Sequence, residues 1–177
     1  MADADKKAIV NTFNLATVLS DIKSMKHLER EIREEDKQLY MDLTEEFYNS
    51  EAVLHPIPEA YREATFDEMM RSQDYVKAYI LEKDGQAAGY GLTSYTFSQE
   101  AGGKAVWLEE LYIRPQFRCH GLGKEFFAYV DEQIAPKVMR LRLEIEPDNL
   151  RAKKLYLAMG YEDLPYAQMI KEVQEVK

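Results

Sequence analysis

The sequence predicts a single mixed α/β domain in which helices flank a central, mostly antiparallel sheet. Two runs rich in β-branched and aromatic residues surround Asp84-Gly85, a dipeptide whose tolerance of positive φ suits a two-residue hairpin turn. The run MRLRLEIE alternates apolar and charged residues with the period of a half-buried strand. Other segments repeat apolar residues at the three- and four-residue spacings of amphipathic helices.

The elements are expected in the order β-α-α-β-β-β-α-β-α-β. An amphipathic helix at 8–22 precedes them, so we divide the chain into a helical extension, 1–27, and one domain, 28–177. The expected elements are a short strand within HLEREIREED, a helix at about 35–49, helical pieces in the proline-broken segment 55–73, the hairpin, a strand at 105–113, a helix from 121 to Pro136, the strand MRLRLEIE, a helix capped by Asp148 or Asn149 that stops at Gly160, and a last strand in LPYAQMIKEV. Segment 55–73 could cover an acceptor site.

Composition argues against several classes of protein. The 177-residue chain is 46% hydrophobic and 31% charged, and no apolar run approaches the roughly 18 residues of a membrane span. The formal net charge of -9 argues against nucleic acid or an anionic membrane as the main partner and favours a cationic one. A single cysteine and the absence of a secretory-signal pattern lead us to expect a cytoplasmic protein.

The loop between strand 105–113 and the following helix carries the clearest chemical signal. It enters the helix through Arg118-x-x-Gly121-x-Gly123, which leaves free backbone N–H groups at the positive end of the helix dipole. The glycines let phosphate oxygens approach the backbone, and Arg118 and Lys124 can add cationic donors. We therefore predict a pyrophosphate-binding loop, although Gly-x-Gly alone is a weak signal.

Two motifs together resemble those of the GCN5-related N-acetyltransferase (GNAT) family. The first is that family's [RQ]-x-x-G-x-[GA] signature, which Arg118, Gly121 and Gly123 match. The second follows in EPDNLRAKKLYLAMGYE and matches at Asn149, Ala152, Tyr156, Gly160 and Tyr161. The two motifs cover residues 105–161, and the order of the other elements from about residue 28 agrees with the GNAT fold.

The resemblance implies acetyl-CoA as cosubstrate. The pantetheine arm would run along strand 105–113 as a false strand, and the phosphates would lie on residues 118–124. The cofactor-binding residues it implies are Leu111, Tyr112, Ile113, Arg118, Cys119, His120, Gly121, Leu122, Gly123, Lys124 and Asn149. Cys119 and His120 stand where the family more often has Gly, Arg or Lys. A Cys119 thiol at a helix N-terminus could instead form a mixed disulfide with CoA.

The resemblance also implies direct attack of a neutral amine on the thioester in a ternary complex. Such a reaction needs a base, a donor to the developing oxyanion and an acid for the thiolate. The implied base is Glu109, the implied acid is Tyr156, and the backbone N–H near Leu111 would polarise the carbonyl. Because neighbours on a strand face opposite sides unless a bulge intervenes, only one of Glu109 and Glu110 should reach the acceptor, and Glu110 stays the alternative base.

The acceptor is predicted less sharply than the cofactor. We place Phe47, Tyr48 and Glu110 at its site, since aromatic rings and carboxylates suit an amine cation. The favoured acceptor is a small primary amine; the alternatives are acetylation of a protein or peptide, and a CoA-binding sensor without turnover. The histidines lack ligand spacing, so no metal is expected. Trp107 and the tyrosines at 75, 79, 90 and 95 are assigned to packing of the sheet. The family resemblance is also compatible with a homodimer.

Overall fold

The sheet has five strands in the spatial order β1-β2-β3-β4-β5. The structure, a computed structural model, describes residues 29–173 except 52, 54, 148 and 172, so the predicted helix at 8–22 lies outside the described residues. The strands are β1 Glu29–Glu31, β2 Val76–Lys83, β3 Gln86–Ser98, β4 Gly103–Ile113 and β5 Arg140–Leu143. Neighbouring strands are antiparallel except β4 and β5, which are parallel. The predicted fold class is confirmed.

Four helices are described, and they cover both faces of the sheet. They are α1 Lys37–Tyr48, α2 Glu59–Arg71, α3 Leu122–Tyr129 and α4 Leu150–Ala158. The segment broken by prolines forms one helix, because Pro56 and Pro58 both precede α2 and no proline lies inside it. Helix α3 continues through a π turn and a 3-10 turn that contains Pro136. None of the described helices is long and apolar enough to cross a membrane.

The hairpin between β2 and β3 forms at the predicted dipeptide. Asp84 has a φ of 52° and Gly85 a φ of 75°, the two positive values that the favoured two-residue turn requires. The strands on either side pair from Lys83 with Gln86 to Val76 with Ser94. The turn sets the pairing next to it, and an irregularity between Leu81 and Glu82, opposite Ala88, shifts the register of the rest of the hairpin by one residue.

Each face of the sheet carries its own hydrophobic core. Helices α1 and α2 pack on one face, where Tyr40 of α1 and Phe66 of α2 lie in one cluster with Tyr90 of β3. Helix α3 packs on the other face, where Phe126 is fully buried. A Cβ at Gly91 would lie 2.3 Å from the Phe126 ring, so this core closes only because β3 has a glycine there.

The predicted last strand is wrong for the residues described. Residues 161–171 belong to neither helix nor strand, and Tyr166, Met169 and Ile170 are largely exposed. Apolar residues in LPYAQMIKEV recur at mixed spacings instead of every second position, and Pro165 cannot donate to a ladder. Strand β5 is also shorter than predicted, because the chain leaves the sheet after Leu143.

Candidate functional site

A gap opens on one side of β4 where its parallel neighbour departs. Strands β4 and β5 pair only from Ala105 with Arg140 to Leu108 with Leu143, whereas β4 continues to Ile113. The N–H of Arg114 donates to the carbonyl of Ala88 on β3 at 2.9 Å. By the alternation of an antiparallel ladder, the backbone groups of Leu111 and Ile113 point away from β3 and into the gap.

Tyr112 is oriented differently from its two neighbours. It pairs with Tyr90 on β3, and its hydroxyl donates to Glu46 on α1 at 3.2 Å. Of the three β4 residues predicted to contact a cofactor, Leu111 and Ile113 therefore offer backbone groups to the gap. The side chain of Tyr112 instead connects the sheet to α1.

The predicted phosphate loop lies at the end of this gap. Gly121 has a φ of 89° and directly precedes α3. A Cβ at Gly123 would lie 3.7 Å from Ile113 Cδ1 and 3.8 Å from Leu111 Cδ2, which is ordinary contact, so the protein's own packing does not require a glycine there. The first N–H groups of a helix lack partners within it. A helix terminus of this kind is suited to an anion, and it lies beside the unpaired part of β4.

The polar side chains of this loop are accessible. Arg118, Cys119, His120 and Lys124 are exposed, whereas the Leu122 side chain is buried and can contribute only its backbone. Arg118 donates through Nε to the carbonyl of Ile113 at 2.9 Å, which leaves its two terminal nitrogens for a ligand.

A β-bulge in β4 changes which way its two carboxylates point. Leu92 on β3 pairs with Glu110, but the next residue, Thr93, pairs with Leu108, so Glu109 is the extra residue of a bulge. The sequence predicts that only one of the two carboxylates reaches the acceptor side unless a bulge intervenes. The bulge does intervene, and both carboxylates line the same cavity.

The cavity has a volume of about 410 Å³ and lies on the face that α1 and α2 cover. Its apolar wall comes from Ala64, Val76 and Leu92, and Glu68 adds a third carboxylate from α2. The remaining lining residues are Thr65 and Ser94. Carboxylates above an apolar wall suit a ligand with an ammonium group on a hydrocarbon chain.

Glu110 is a half-buried carboxylate held by two tyrosines. Tyr48 from α1 donates to Oε1, and Tyr90 from β3 donates to Oε2 at 2.5 Å. Burial raises the pKa of Glu110, and the nearby charge of Glu109 adds to this, although the two hydrogen bonds favour the ionised form. Glu109 differs, since it is exposed and accepts a hydrogen bond from Ser94.

The C-terminal end of α1 is fixed to the sheet beside this pair. Arg114 contacts Glu46 at 2.7 Å, and the Phe47 ring lies 5.9 Å from that of Tyr112 and 6.2 Å from that of Tyr90. Phe47 thus packs in the core and does not line the cavity. Tyr48 reaches the cavity only through Glu110.

Tyr156 lies on the opposite face, in the cluster that also contains Leu111 and Ile113. Its ring centroid is 5.3 Å from that of Phe127, and burial raises the pKa of its hydroxyl. Asn149 caps α4, because its side chain accepts from the N–H of Ala152 at 3.1 Å. The Asn149 side chain therefore has a structural role at the start of α4, whichever residue supplies the backbone N–H at position 152.

Tyr90 and Ser94 were not predicted as site residues. The sequence shows Tyr90 between two glycines of a strand, but only the cross-strand register brings its hydroxyl to Glu110. Among the described residues, no group of histidine, cysteine, aspartate and glutamate side chains could hold a metal ion.

Known proteins that are similar to this chain are acetyltransferases. Residues 25–161 match the acetyltransferase (GNAT) family. Thialysine N-epsilon-acetyltransferase of Mus musculus is 31% identical over 144 residues, which cover 76% of this chain and 84% of that protein. The protein of the same name from Bos taurus is 34% identical over 97 residues, 51% of this chain and 56% of that protein, so this match spans about half of the relative's length.

A solved structure supports the same fold. The aminoglycoside acetyltransferase AAC(6')-Iy, in complex with the bisubstrate analogue CoA-S-monomethyl-acetylneamine, superposes with a TM-score of 0.66. It is 19% identical, and the match covers 82% of this chain and 97% of that chain. At this identity the likeness shows the fold alone.

Proposed function

The chain belongs to the acetyltransferase (GNAT) family, and from that premise we propose that it transfers the acetyl group of acetyl-CoA to a primary amine of a small cationic molecule. One observation carries the proposal. The bulge of β4 brings Glu109 and Glu110 into one cavity, and the same strand continues into the gap beside the phosphate loop. An amine held by the carboxylates would therefore lie next to a thioester held along β4.

The residues around the gap fit the parts of acetyl-CoA. The backbone of Leu111 and Ile113 would bind the pantetheine amides, as an added strand would. The N–H groups at the start of α3, with Arg118 and Lys124, would bind the phosphates. Acetyl-CoA supplies the activated acyl group, and the N–H of Leu111 would stabilise the negative charge that develops on its carbonyl oxygen.

We assign the base to Glu109 and ammonium binding to Glu110. Glu109 has solvent access, so it can take the proton of the ammonium, directly or through water, and release it to solvent. Each oxygen of Glu110 accepts a hydrogen bond from a tyrosine hydroxyl. These two bonds hold the carboxylate, and its negative charge, in one position at the cavity.

Tyr156 is the proposed acid. As the amine nitrogen bonds to the acetyl carbon and the carbon–sulfur bond breaks, the sulfur needs a proton. Burial keeps the pKa of Tyr156 above its usual value, so the hydroxyl is protonated at neutral pH. Its place in one cluster with Leu111 and Ile113 supports access to the sulfur end of a bound pantetheine.

The acceptor class rests on charge and on one relative. Glu109 and Glu110 line the cavity without a basic partner among the described residues, whereas Glu68 is paired with Arg71, and the net charge of -9 favours a cationic partner over nucleic acid. The Mus musculus relative described above carries thialysine in its name, a small molecule with an amine. The single cysteine supports a cytoplasmic location.

The test is thiol release from acetyl-CoA with a panel of diamines, amino acids, aminoglycosides and short peptides. We expect release that depends on one class of small amine, with the acetylated product confirmed by mass spectrometry. Binding of acetyl-CoA without release on any acceptor would favour the sensor alternative. Acetylation of peptides alone would overturn the proposed substrate class.

A further inference from the structure

The wall of the cavity contains one ion pair. Glu109 and Glu110 have no basic partner among the described residues, whereas Glu68, the third carboxylate of the cavity, is bound by Arg71. Arg71 Nε donates to Glu68 Oε2 at 2.8 Å, and Arg71 Nη2 donates to Glu68 Oε1 at 2.7 Å. One guanidinium therefore engages both oxygens of this carboxylate, in the bidentate geometry that suits an arginine and a carboxylate.

This ion pair adds little to the stability of the fold. Glu68 and Arg71 are one turn apart at the end of α2, and the Arg71 side chain is 62% exposed. Exposed pairs of this kind contribute little to stability, because water and salt screen them. The helix ends through its backbone, since the N–H of Ser72 donates to the carbonyl of Glu68 at 2.9 Å. Replacement of Arg71 should therefore leave α2 in place.

Arg71 instead affects the charge of the cavity. Its guanidinium lowers the pKa of Glu68, so this carboxylate is ionised at neutral pH. Arg71 balances the negative charge of Glu68, which leaves Glu109 and Glu110 as the carboxylates of the cavity without a counter-charge among the described residues. Removal of the guanidinium alone would add Glu68 to them.

The pair limits how a second cation can bind in the cavity. Glu109 and Glu110 are adjacent on β4, where we assign them to one ammonium group, as its base and its binding charge. A second ammonium would have to approach Glu68 on α2. Both oxygens of Glu68 are already engaged there, and the positive charge of Arg71 would repel the ammonium. The cavity therefore binds one ammonium well and a second one poorly.

We propose that Arg71 is a specificity-determining residue, which makes the cavity favour acceptors with one net positive charge over acceptors with two. This inference rests on the proposed function and adds the number of charges by which small cationic amines are selected. Arg71 acts through Glu68, so it is a positioning residue and takes no part in proton transfer.

The experiment compares pentylamine and 1,5-diaminopentane, which differ only in a second ammonium group. Their dissociation constants are measured by titration calorimetry on protein saturated with CoA, in which no acetyl group can be transferred. We expect Arg71→Gln to bind the diamine about three- to fivefold more tightly than the wild type does, and to bind pentylamine within about twofold of the wild type. A gain in affinity cannot come from a variant that has lost its fold.

Two controls separate charge in the cavity from charge elsewhere on α2. Lys37→Gln also frees a carboxylate of α2, because Lys37 Nζ lies 3.5 Å from Asp67 Oδ1, but Asp67 is not among the residues that line the cavity. This variant should leave both dissociation constants unchanged. The double variant Arg71→Gln/Glu68→Gln should lose the gain for the diamine. Raising the salt from roughly 0.05 M to roughly 0.5 M should reduce the gain of Arg71→Gln, because salt screens the freed charge.

The inference and the proposed function fail in different ways. An unchanged relative affinity for the diamine in Arg71→Gln, an equal gain in Lys37→Gln, or a gain that persists in the double variant would overturn the role of Arg71 alone. Failure of both amines to bind any of these proteins would overturn it as well. If no amine of the whole panel supports thiol release, the proposed function itself is overturned, and this inference about acceptors with it.

Discussion

Glu109 and Glu110 are adjacent carboxylates whose surroundings differ. Glu109 is exposed and accepts from Ser94, while Glu110 is half-buried behind Tyr48 and Tyr90. Both are needed in one cavity if a cation is to be bound and then deprotonated. We assign proton transfer to the exposed carboxylate and binding to the one that the two tyrosines hold.

Glu109→Gln tests the base. We expect kcat to fall by about 10²- to 10³-fold at neutral pH, because the ammonium loses its proton acceptor. The loss should shrink as the pH approaches the pKa of the amine, since the neutral amine then needs no base. A pH–rate profile of variant and wild type measures this.

Glu110→Gln is the matched comparison for Glu109→Gln. It should raise KM for the amine more than it lowers kcat, since it removes a binding charge. The reverse result, in which Glu110→Gln shows the pH-relieved loss of kcat and Glu109→Gln does not, would transfer the base to Glu110.

Tyr156→Phe tests the acid. The ring packing on Phe127 is retained, so acetyl-CoA affinity should stay within about twofold while kcat falls by about 10²-fold. Equilibrium binding and turnover are measured on the same preparation. Full turnover of the variant at every pH would show that Tyr156 only packs.

The β-bulge in β4 is the element on which the site depends. It could not be predicted, because a bulge is defined by the register with a partner strand. The sequence Leu108-Glu109-Glu110 has no local feature that indicates one. The hairpin at Asp84-Gly85 could be predicted, since its turn is determined by two adjacent residues. The same distinction explains why the contact of Tyr90 with Glu110 was missed, whereas the phosphate loop could be predicted from its own residues.

The loop before α3 gives a prediction of its own. In Gly123→Ala the added Cβ has room in the protein but would occupy space where a phosphate must approach the backbone. We expect the free energy of unfolding to stay within about 0.5 kcal/mol and the Kd for acetyl-CoA to rise about tenfold or more. Titration calorimetry gives the Kd for acetyl-CoA, and thermal melting gives the change in stability.

Gln116→Ala is a suitable control for the loop. Gln116 is exposed in the 3-10 turn that precedes Arg118, outside the residues assigned to the phosphates. Its replacement should leave acetyl-CoA binding unchanged. Equal weakening by both variants, or none by Gly123→Ala, would contradict the position assigned to the phosphates.

For the molecule as a whole, the half-buried carboxylate of Glu110 should make stability depend on pH. Because burial raises the pKa of Glu110 in the folded state, the native protein holds this proton more tightly than the unfolded chain. The wild type therefore loses stability as the pH rises above the unfolded pKa and through the folded one. Glu110→Gln should escape this loss.

Denaturant unfolding of the wild type and Glu110→Gln at about pH 4 and about pH 7 measures how much stability the Glu110 carboxylate costs as the pH rises. The stability of Glu110→Gln relative to wild type should improve as the pH rises. Glu68→Gln is the control, since its partner Arg71 lowers the pKa of Glu68 and the trend should be reversed and small. A pH-independent difference for Glu110→Gln would mean that Glu110 is not desolvated.

We infer direct transfer in a ternary complex, and single-turnover thiol release distinguishes it from transfer through an acetylated enzyme. Enzyme in excess is mixed with acetyl-CoA, first alone and then with the preferred amine. We predict no thiol without amine and one equivalent per acetyl-CoA once the amine is added. A burst of thiol without amine would indicate an acetylated enzyme and would rule out direct transfer. The exposed Cys119 would be the first candidate for the acetylated residue.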